Sequence, residues 1–258
     1  MSISPAGVLD LSGKRALVTG GSRGIGAATA LLLARCGADV AIGYRSRGPE
    51  AMEVVDAAQA LGVRAFAHAA DLATREGCQA LIAQSATDLG GLDIFVGNAG
   101  IWPAHDVALD AMPDEQWSRT MRENVDAMFY TTRAVIRLMG RGGRIVLVSS
   151  TAAQRGEAMH ADYAASKGAM ISLVKSLAVE LGPRGITVNS VAPGWVDTEM
   201  VAEALAGEAR QRAMSAIPIG RLASAEDIAG PIVFLCSGLA RHITGEIVNV
   251  NGGSVLCG

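Results

Sequence analysis

The chain has 258 residues, half of them hydrophobic, with 31 glycines and a net charge of −3. So apolar a composition excludes disorder, and glycines without a three-residue period exclude a collagen-like rod. The balanced charge offers no basic stripe for nucleic acid. No uncharged apolar run reaches the roughly 18–20 residues of a membrane span, since Ile228–Ala240 is broken by Gly230 and Pro231.

The N-terminal segment MSISPAGVLDLSGK lacks a basic start and an apolar run, so no secretory leader is expected and a cytoplasmic setting is. Cys36, Cys78, Cys236 and Cys257 show no CxxC or zinc-ligand spacing, so no metal site is expected. Cys36 and Cys236 lie among apolar residues and read as small core side chains.

The first strand, Arg15–Thr19, runs into TGGSRGIG over 19–26 and then a helix, Ile25–Cys36. A dinucleotide pyrophosphate needs a tight turn, close backbone approach and a helix N-terminus. Gly20, Gly24 and Gly26 can supply all three. The second strand, Val40–Tyr44, is followed by Arg45, Ser46 and Arg47. A carboxylate there would favour ribose hydroxyls, whereas guanidinium suits a 2′-phosphate. With Arg23 in the glycine turn, these arginines predict NADP(H) over NAD(H).

Further strands are expected at Arg64–Ala69, Asp93–Gly97, Arg144–Ser149, Thr187–Ala192 and Ile247–Val250. Helices are expected at Glu50–Leu61, Arg75–Leu89, Asp114–Met139, Asp162–Leu181 and Ala225–Ser237. Gly37, Gly62, Gly90 and Gly182 follow helices, where a left-handed residue is wanted. Ser224 and Asp227 form a capping-box pattern. Near-continuous apolar strands alternating with helices predict an α/β fold: one Rossmann-like domain, a doubly wound seven-stranded parallel sheet with helices on both faces. The segment 195–216 reads as an insertion over the ligand face.

Tyr163 and Lys167 share one helix face at i, i+4 spacing, in a chain with three tyrosines and three lysines. Free tyrosine titrates near 10, too high for easy proton exchange at neutrality. A neighbouring ammonium stabilises the phenolate, and lowering the pKa by ~3 units takes ~4 kcal/mol. Ser150 ends the fifth strand, where an open sheet presents its ligand. Its hydroxyl can polarise a substrate carbonyl, and Ser149 should point to the other side.

Together these residues resemble the short-chain dehydrogenase/reductase family over essentially the whole chain. The resemblance implies a catalytic set of Asn124, Ser150, Tyr163 and Lys167. It implies cofactor contacts by Gly20, Ser22, Arg23, Gly24, Ile25 and Gly26, then Tyr44, Arg45 and Ser46, then Asp71 and Leu72. Further contacts fall on Asn98, Ala99 and Gly100, on Tyr163 and Lys167, and on Pro193, Gly194, Val196 and Thr198. Gly97 stands where the family has a first Asn, and Asn251 where Asp is more usual. In the family mechanism tyrosine exchanges a proton with the substrate oxygen, serine holds that oxygen, lysine binds the nicotinamide ribose, and asparagine holds a water behind it.

Within the family the chain is most similar to 3-oxoacyl-[acyl-carrier-protein] reductases and related NADPH-dependent ketoreductases. That similarity implies a small-molecule carbonyl or alcohol substrate, carrier protein as a partner through Arg133, Arg137 and Arg141, and a homotetramer. Ile101–Asp110, Thr151–His160 and Trp195–Ala216 are expected to line the pocket. Trp102, His160 and Trp195 are the expected substrate contacts beside Ser150 and Tyr163, and His105, Met159 and Met200 complete the wall. The competing reading is an alcohol, polyol or steroid dehydrogenase working oxidatively. A non-catalytic dinucleotide-binding regulator would not need Ser150, Tyr163 and Lys167 together.

Overall fold

The computed structural model describes residues 9–256. Cys257 and the first eight residues, on which part of the N-terminal reading rests, lie outside them. The strands are β1 (Arg15–Thr19), β2 (Asp39–Tyr44), β3 (Ala65–Ala69), β4 (Ile94–Gly97), β5 (Arg144–Val148), β6 (Thr187–Pro193) and β7 (Ile247–Val250). All pair in parallel, in the order β3-β2-β1-β4-β5-β6-β7. The order reverses between β1 and β4, and that crevice is where an open α/β sheet binds its ligand.

The strand sequences explain why the sheet is covered twice. Side chains alternate between faces, yet both sets are apolar. Ala16, Val18, Val40, Ile42, Val146 and Val148 belong to one core. Leu17, Ala41, Phe95, Ile145 and Leu147 belong to the other. Helices α1 (Gly24–Arg35), α2 (Gly48–Gln59) and α9 (Ala225–Cys236) cover the first face. Helices α3 (Arg75–Leu89), α5 (Ala127–Leu138) and α7 (Ala161–Leu181) cover the second. Cys236 is buried in the first core and Cys36 packs half-buried against it.

Local rules hold at most helix ends. Ser224 and Asp227 form both bonds of the capping box. Gly37, Gly62 and Gly90 take positive φ. Gly182 does not. It is right-handed at φ −50°, and the chain tightens into a 3-10 turn over Gly182–Arg184 before Gly185 turns left-handed at φ 69°. The expected long helix over 114–139 is also divided. It consists of α4 (Asp114–Met121), a π-helical segment Arg122–Asp126 and α5.

The segment after β6 is structured. A 3-10 turn, Glu199–Val201, precedes α8 (Glu208–Ser215). Leu205, Ile217 and Leu222 form a small separate core there, with Trp195, Val201, Ala213 and Met214 packed on it. No helix among the described residues is long and apolar enough to cross a membrane.

Candidate active site

A cavity of about 1290 Å³ opens along the carboxyl ends of β1, β2, β4, β5 and β6. At one end lies the glycine turn. Gly20 (φ 65°) and Gly24 (φ 54°) occupy a region L side chains rarely adopt. A Cβ on Gly26 would stand 2.1 Å from the Gly20 carbonyl oxygen. Gly26 therefore serves the tightness of the turn and does not itself line the cavity. No side chain caps α1, which leaves the first amides of that helix to a ligand.

The turn is held from β4. Asn98 Nδ2 donates to the carbonyls of Thr19 (3.0 Å) and Gly20 (3.2 Å). The amides of Asn98 and Ala99 both donate to Thr19 Oγ1 at 3.0 Å. Gly97 has its own reason: a Cβ there would meet Met128 Sδ at 2.7 Å and Leu147 Cδ2 at 2.8 Å. Asn251 donates to the Val255 carbonyl and accepts the Gly253 amide, both at 2.8 Å. Gly194 lets it approach, since a Cβ on Gly194 would lie 2.9 Å from Asn251 Cβ.

Ser22, Ile25, Tyr44, Ser46, Asp71, Leu72, Ala99, Gly100, Pro193, Gly194, Val196 and Thr198 all line the cavity. So do Arg23, Arg45 and Arg47, but all three already hold carboxylates. Arg45 pairs with Glu123 at 2.9 Å. Arg47 pairs with Glu50 at 2.8 Å and reaches Glu199 at 3.4 Å, while Arg23 also binds Glu199.

The other end brings Ser150, Tyr163 and Lys167 together. Ser150 lines the cavity and its Oγ accepts the Ala152 amide at 3.1 Å. Ser149 also touches the cavity, but its Oγ is bonded within the sheet, where Ser190 Oγ donates to it at 2.8 Å. Lys167 is 4% exposed, and its Nζ donates to the Val148 carbonyl at 3.0 Å. Nζ lies 5.8 Å from the Tyr163 ring centroid.

The electrostatics differ from the sequence expectation. Burial pushes the Tyr163 phenol up to about 12, against a smaller opposing pull from Ser150, and the Glu157 carboxylate adds to the rise. Burial also draws Lys167 down to about 8. The same removal from water penalises both phenolate and ammonium. With Nζ bonded to Val148, the ammonium does not bring the phenol toward neutrality.

Asn124 stands behind this corner, fully buried within the π segment. Its Oδ1 accepts the Ile101 amide at 2.8 Å, and its Nδ2 donates to the Ile101 carbonyl (3.0 Å) and Ser166 Oγ (2.9 Å). The local unwinding coincides with these bonds, as π segments often do at functional sites. A Cβ on Gly100 would come within 2.9 Å of Asn124 Oδ1 and 3.3 Å of Lys167 Nζ. Asn124 does not line the cavity.

Sequence reasoning missed Asp162. It is fully buried, accepts the Tyr163 amide at 2.8 Å and Thr120 Oγ1 at 2.7 Å, and so ties the start of α7 to α4. An acid in the first turn of a helix was its only signal.

Trp102 and Trp195 line the substrate end, edge to face at 6.1 Å. His105 and Met200 line it too. His160 is a correction: it is buried and does not reach the cavity. Its ring packs on Trp102 at 4.6 Å and its Nε2 lies 3.1 Å from Asp106 Oδ1. The first turn of α7 buries it behind the wall it was expected to form. Met159 also stands outside the cavity. Glu157, expected only as part of the lining segment Thr151–His160, lines it and accepts Trp102 Nε1 at 3.3 Å.

A family model described as Enoyl-(Acyl carrier protein) reductase matches residues 20–254. Among solved structures, the chain superposes on a short-chain dehydrogenase of Burkholderia cenocepacia in complex with NADP. The TM-score is 0.90 and the identity 43%, over 95% of this chain and 98% of that one. The chain belongs to the short-chain dehydrogenase/reductase family. This short-chain dehydrogenase/reductase also superposes on a blue fluorescent protein from a metagenomic library, in complex with NADPH. There the TM-score is 0.91 and the identity 39%, over 96% and 100% of the two chains. It is 42% identical to a 3-oxoacyl-[acyl-carrier-protein] reductase of Vibrio cholerae, over 95% of this chain and 98% of that protein. It is 41% identical to an L-rhamnose 1-dehydrogenase (NAD(P)(+)) of Azotobacter vinelandii, over 93% and 96%. As a family member it is an NAD(P)-dependent oxidoreductase.

Proposed function

We propose that the protein uses NADP(H) to interconvert a ketone and a secondary alcohol, with Ser150, Tyr163 and Lys167 as its catalytic residues. The observation that carries this reading is the meeting of those three side chains in one cavity with the glycine turn and the strand-two arginines. The cradle fits a dinucleotide. It has glycines where a Cβ would collide, an uncapped helix N-terminus, Arg23 in the turn itself, and Arg45 and Arg47 after β2. Relatives described with NADP and NADPH support the phosphorylated cofactor.

The nicotinamide, when bound, supplies or accepts the hydride. Everything else falls to the chain. Ser150 donates a hydrogen bond to the carbonyl oxygen and supports the charge that develops there. Tyr163, held protonated by burial, delivers its proton to that oxygen as general acid. Lys167, whose Nζ lies 5.8 Å from the Tyr163 ring centroid, lines the cavity and would hold the ribose of the cofactor. Asp162 fixes the first turn of α7, and Asn124 fixes the loop at Ile101, so both act by positioning. The segment 195–216 lines the site through Trp195, Met200 and Ala213.

Two substrate readings have support. The Trp102–Trp195 wall and the reductase relatives favour a 3-oxoacyl thioester. Arg133, Arg137 and Arg141 do not line the cavity, and Arg133 lies over the Phe129 ring at 4.5 Å, so a carrier protein would meet them outside the cleft. The Glu157 carboxylate and the rhamnose dehydrogenase relatives favour a hydroxylated substrate. Tyr163→Phe tests the assignment common to both. NADPH binding should persist while turnover falls at least ~100-fold, and near-normal turnover would refute the role of Tyr163.

A further inference from the structure

Resting on the ketone–alcohol reading above, we propose that Glu157 selects the substrate. It accepts a hydroxyl group beside the reacting carbon, so the enzyme acts on hydroxylated ring compounds.

The argument begins in the backbone. Glu157 sits between α6 (Ala152–Arg155) and α7. Gly156 is left-handed at φ 77°, and Met159 at φ 67° is the only non-glycine residue with positive φ among the described residues. Such a conformation is uncommon for a long side chain and persists only where surroundings impose it. Here they do. The His160 amide closes the turn on the Glu157 carbonyl at 3.2 Å, and the Met159 carbonyl accepts the Val107 amide at 3.0 Å.

The side chains complete a frame across two loops. Asp106 holds His160, His160 packs on Trp102, and Trp102 Nε1 donates to Glu157 Oε1. The result is an oriented carboxylate on the cavity wall, close enough to Tyr163 to act on its phenol.

That carboxylate is half-buried and has few protein partners. Two carboxylate oxygens offer about four acceptor sites. Among the described residues only the neutral indole of Trp102 donates to them. Burial raises its carboxyl pKa, against the through-space pull of His160 and Arg155. An acyl chain pressed against this acceptor would strip its water and return nothing. A hydroxyl would supply the missing donor. The indoles pack on each other edge to face at an interplanar angle of 83°, and both line the cavity, so they fix an apolar wall beside the carboxylate. A C–H face can lie on the indole while its hydroxyl turns to Glu157.

The test uses the full-length enzyme with NADPH and three carbonyls: 2-hydroxycyclohexanone, cyclohexanone and the N-acetylcysteamine thioester of 3-oxobutanoate. The expected kcat/KM for 2-hydroxycyclohexanone exceeds that for cyclohexanone at least about tenfold, because a site built for a hydroxyl rejects the analogue without it. Glu157→Leu should bring that ratio to about one, by loss on the hydroxylated ketone. Glu157→Gln, which keeps the size and one acceptor, should retain part of it. NADPH fluorescence titration reports whether each variant is folded. If the leucine variant does not bind NADPH, the glutamine variant decides, and its ratio should fall at least about threefold. Efficient turnover of cyclohexanone and the thioester with a wild-type ratio of one or below overturns the inference alone. So does a ratio unchanged in the variants. No turnover of any of the three carbonyls, with NADPH bound, overturns the ketone–alcohol reading and the inference with it.

Discussion

Lys167→Met should make the apoprotein more stable while disabling it. The side chain is 4% exposed, and burial has drawn its pKa from 10.5 to about 8. At about 1.4 kcal/mol per pKa unit, holding the charge there costs roughly 3 kcal/mol relative to the unfolded chain. Methionine has similar length and no charge. Losing the bond from Nζ to Val148 offsets about 1–2 kcal/mol. The net expectation is a gain of about 1–2 kcal/mol at pH 7, measured by urea unfolding at fixed protein concentration. The sign of the pH dependence follows from the same numbers. Below pH 8 the lysine is charged in both states and the full penalty is present. Between about 8 and 10.5 the unfolded chain binds more protons, so wild-type stability rises with pH relative to the variant. Above 10.5 the penalty is gone. Turnover should meanwhile fall at least ~100-fold. A variant less stable than wild type at pH 7, or a stability difference flat from pH 7 to 10, would show the reasoning to be wrong.

Two further predictions concern the cofactor end. Glu199→Gln releases Arg23 and Arg47 from a shared carboxylate. NADPH should bind about two- to fivefold more tightly, NADH should be unaffected, and the gain should shrink at high salt. Equal effects on the two cofactors in titration would remove the arginines from 2′-phosphate recognition. Gly26→Ala places a Cβ 2.1 Å from the Gly20 carbonyl. It should cost about 1–3 kcal/mol of stability and abolish NADPH binding; thermal unfolding and titration check both, and a variant with wild-type affinity contradicts the close-approach argument.

The sheet was legible because both of its faces are apolar. Short β-branched runs such as IVLV over Ile145–Val148, with glycine and serine close on either side, read as buried strands, and the glycines after α1, α2 and α3 mark where those helices stop. The meeting of Tyr163 and Lys167 in one cavity was legible because tyrosine and lysine are rare in this chain and stand at helical i, i+4 spacing. What the sequence hid depends on contacts between distant segments. Nothing in the periodicity of 114–139 indicates a π segment, because Asn124 answers to Ile101 and Ser166. His160 and Glu157 exchange roles for the same reason: the strained turn at Met159 sends one inward and the other to the cavity. The Arg23–Glu199 pair spans 176 positions, so a reading of strand two alone finds free arginines where the fold has partnered ones.

That pair also links two ends of the cavity that serve different reactants. Arg23 and Arg47 line the end of the cavity at the glycine turn and β2, while Glu199 belongs to the stretch that brings Trp195 and Met200 to its wall. A phosphate on the guanidiniums would compete with Glu199 for them. Whatever binds at one end is thereby coupled to the setting of the wall at the other, and a single glutamate carries the coupling.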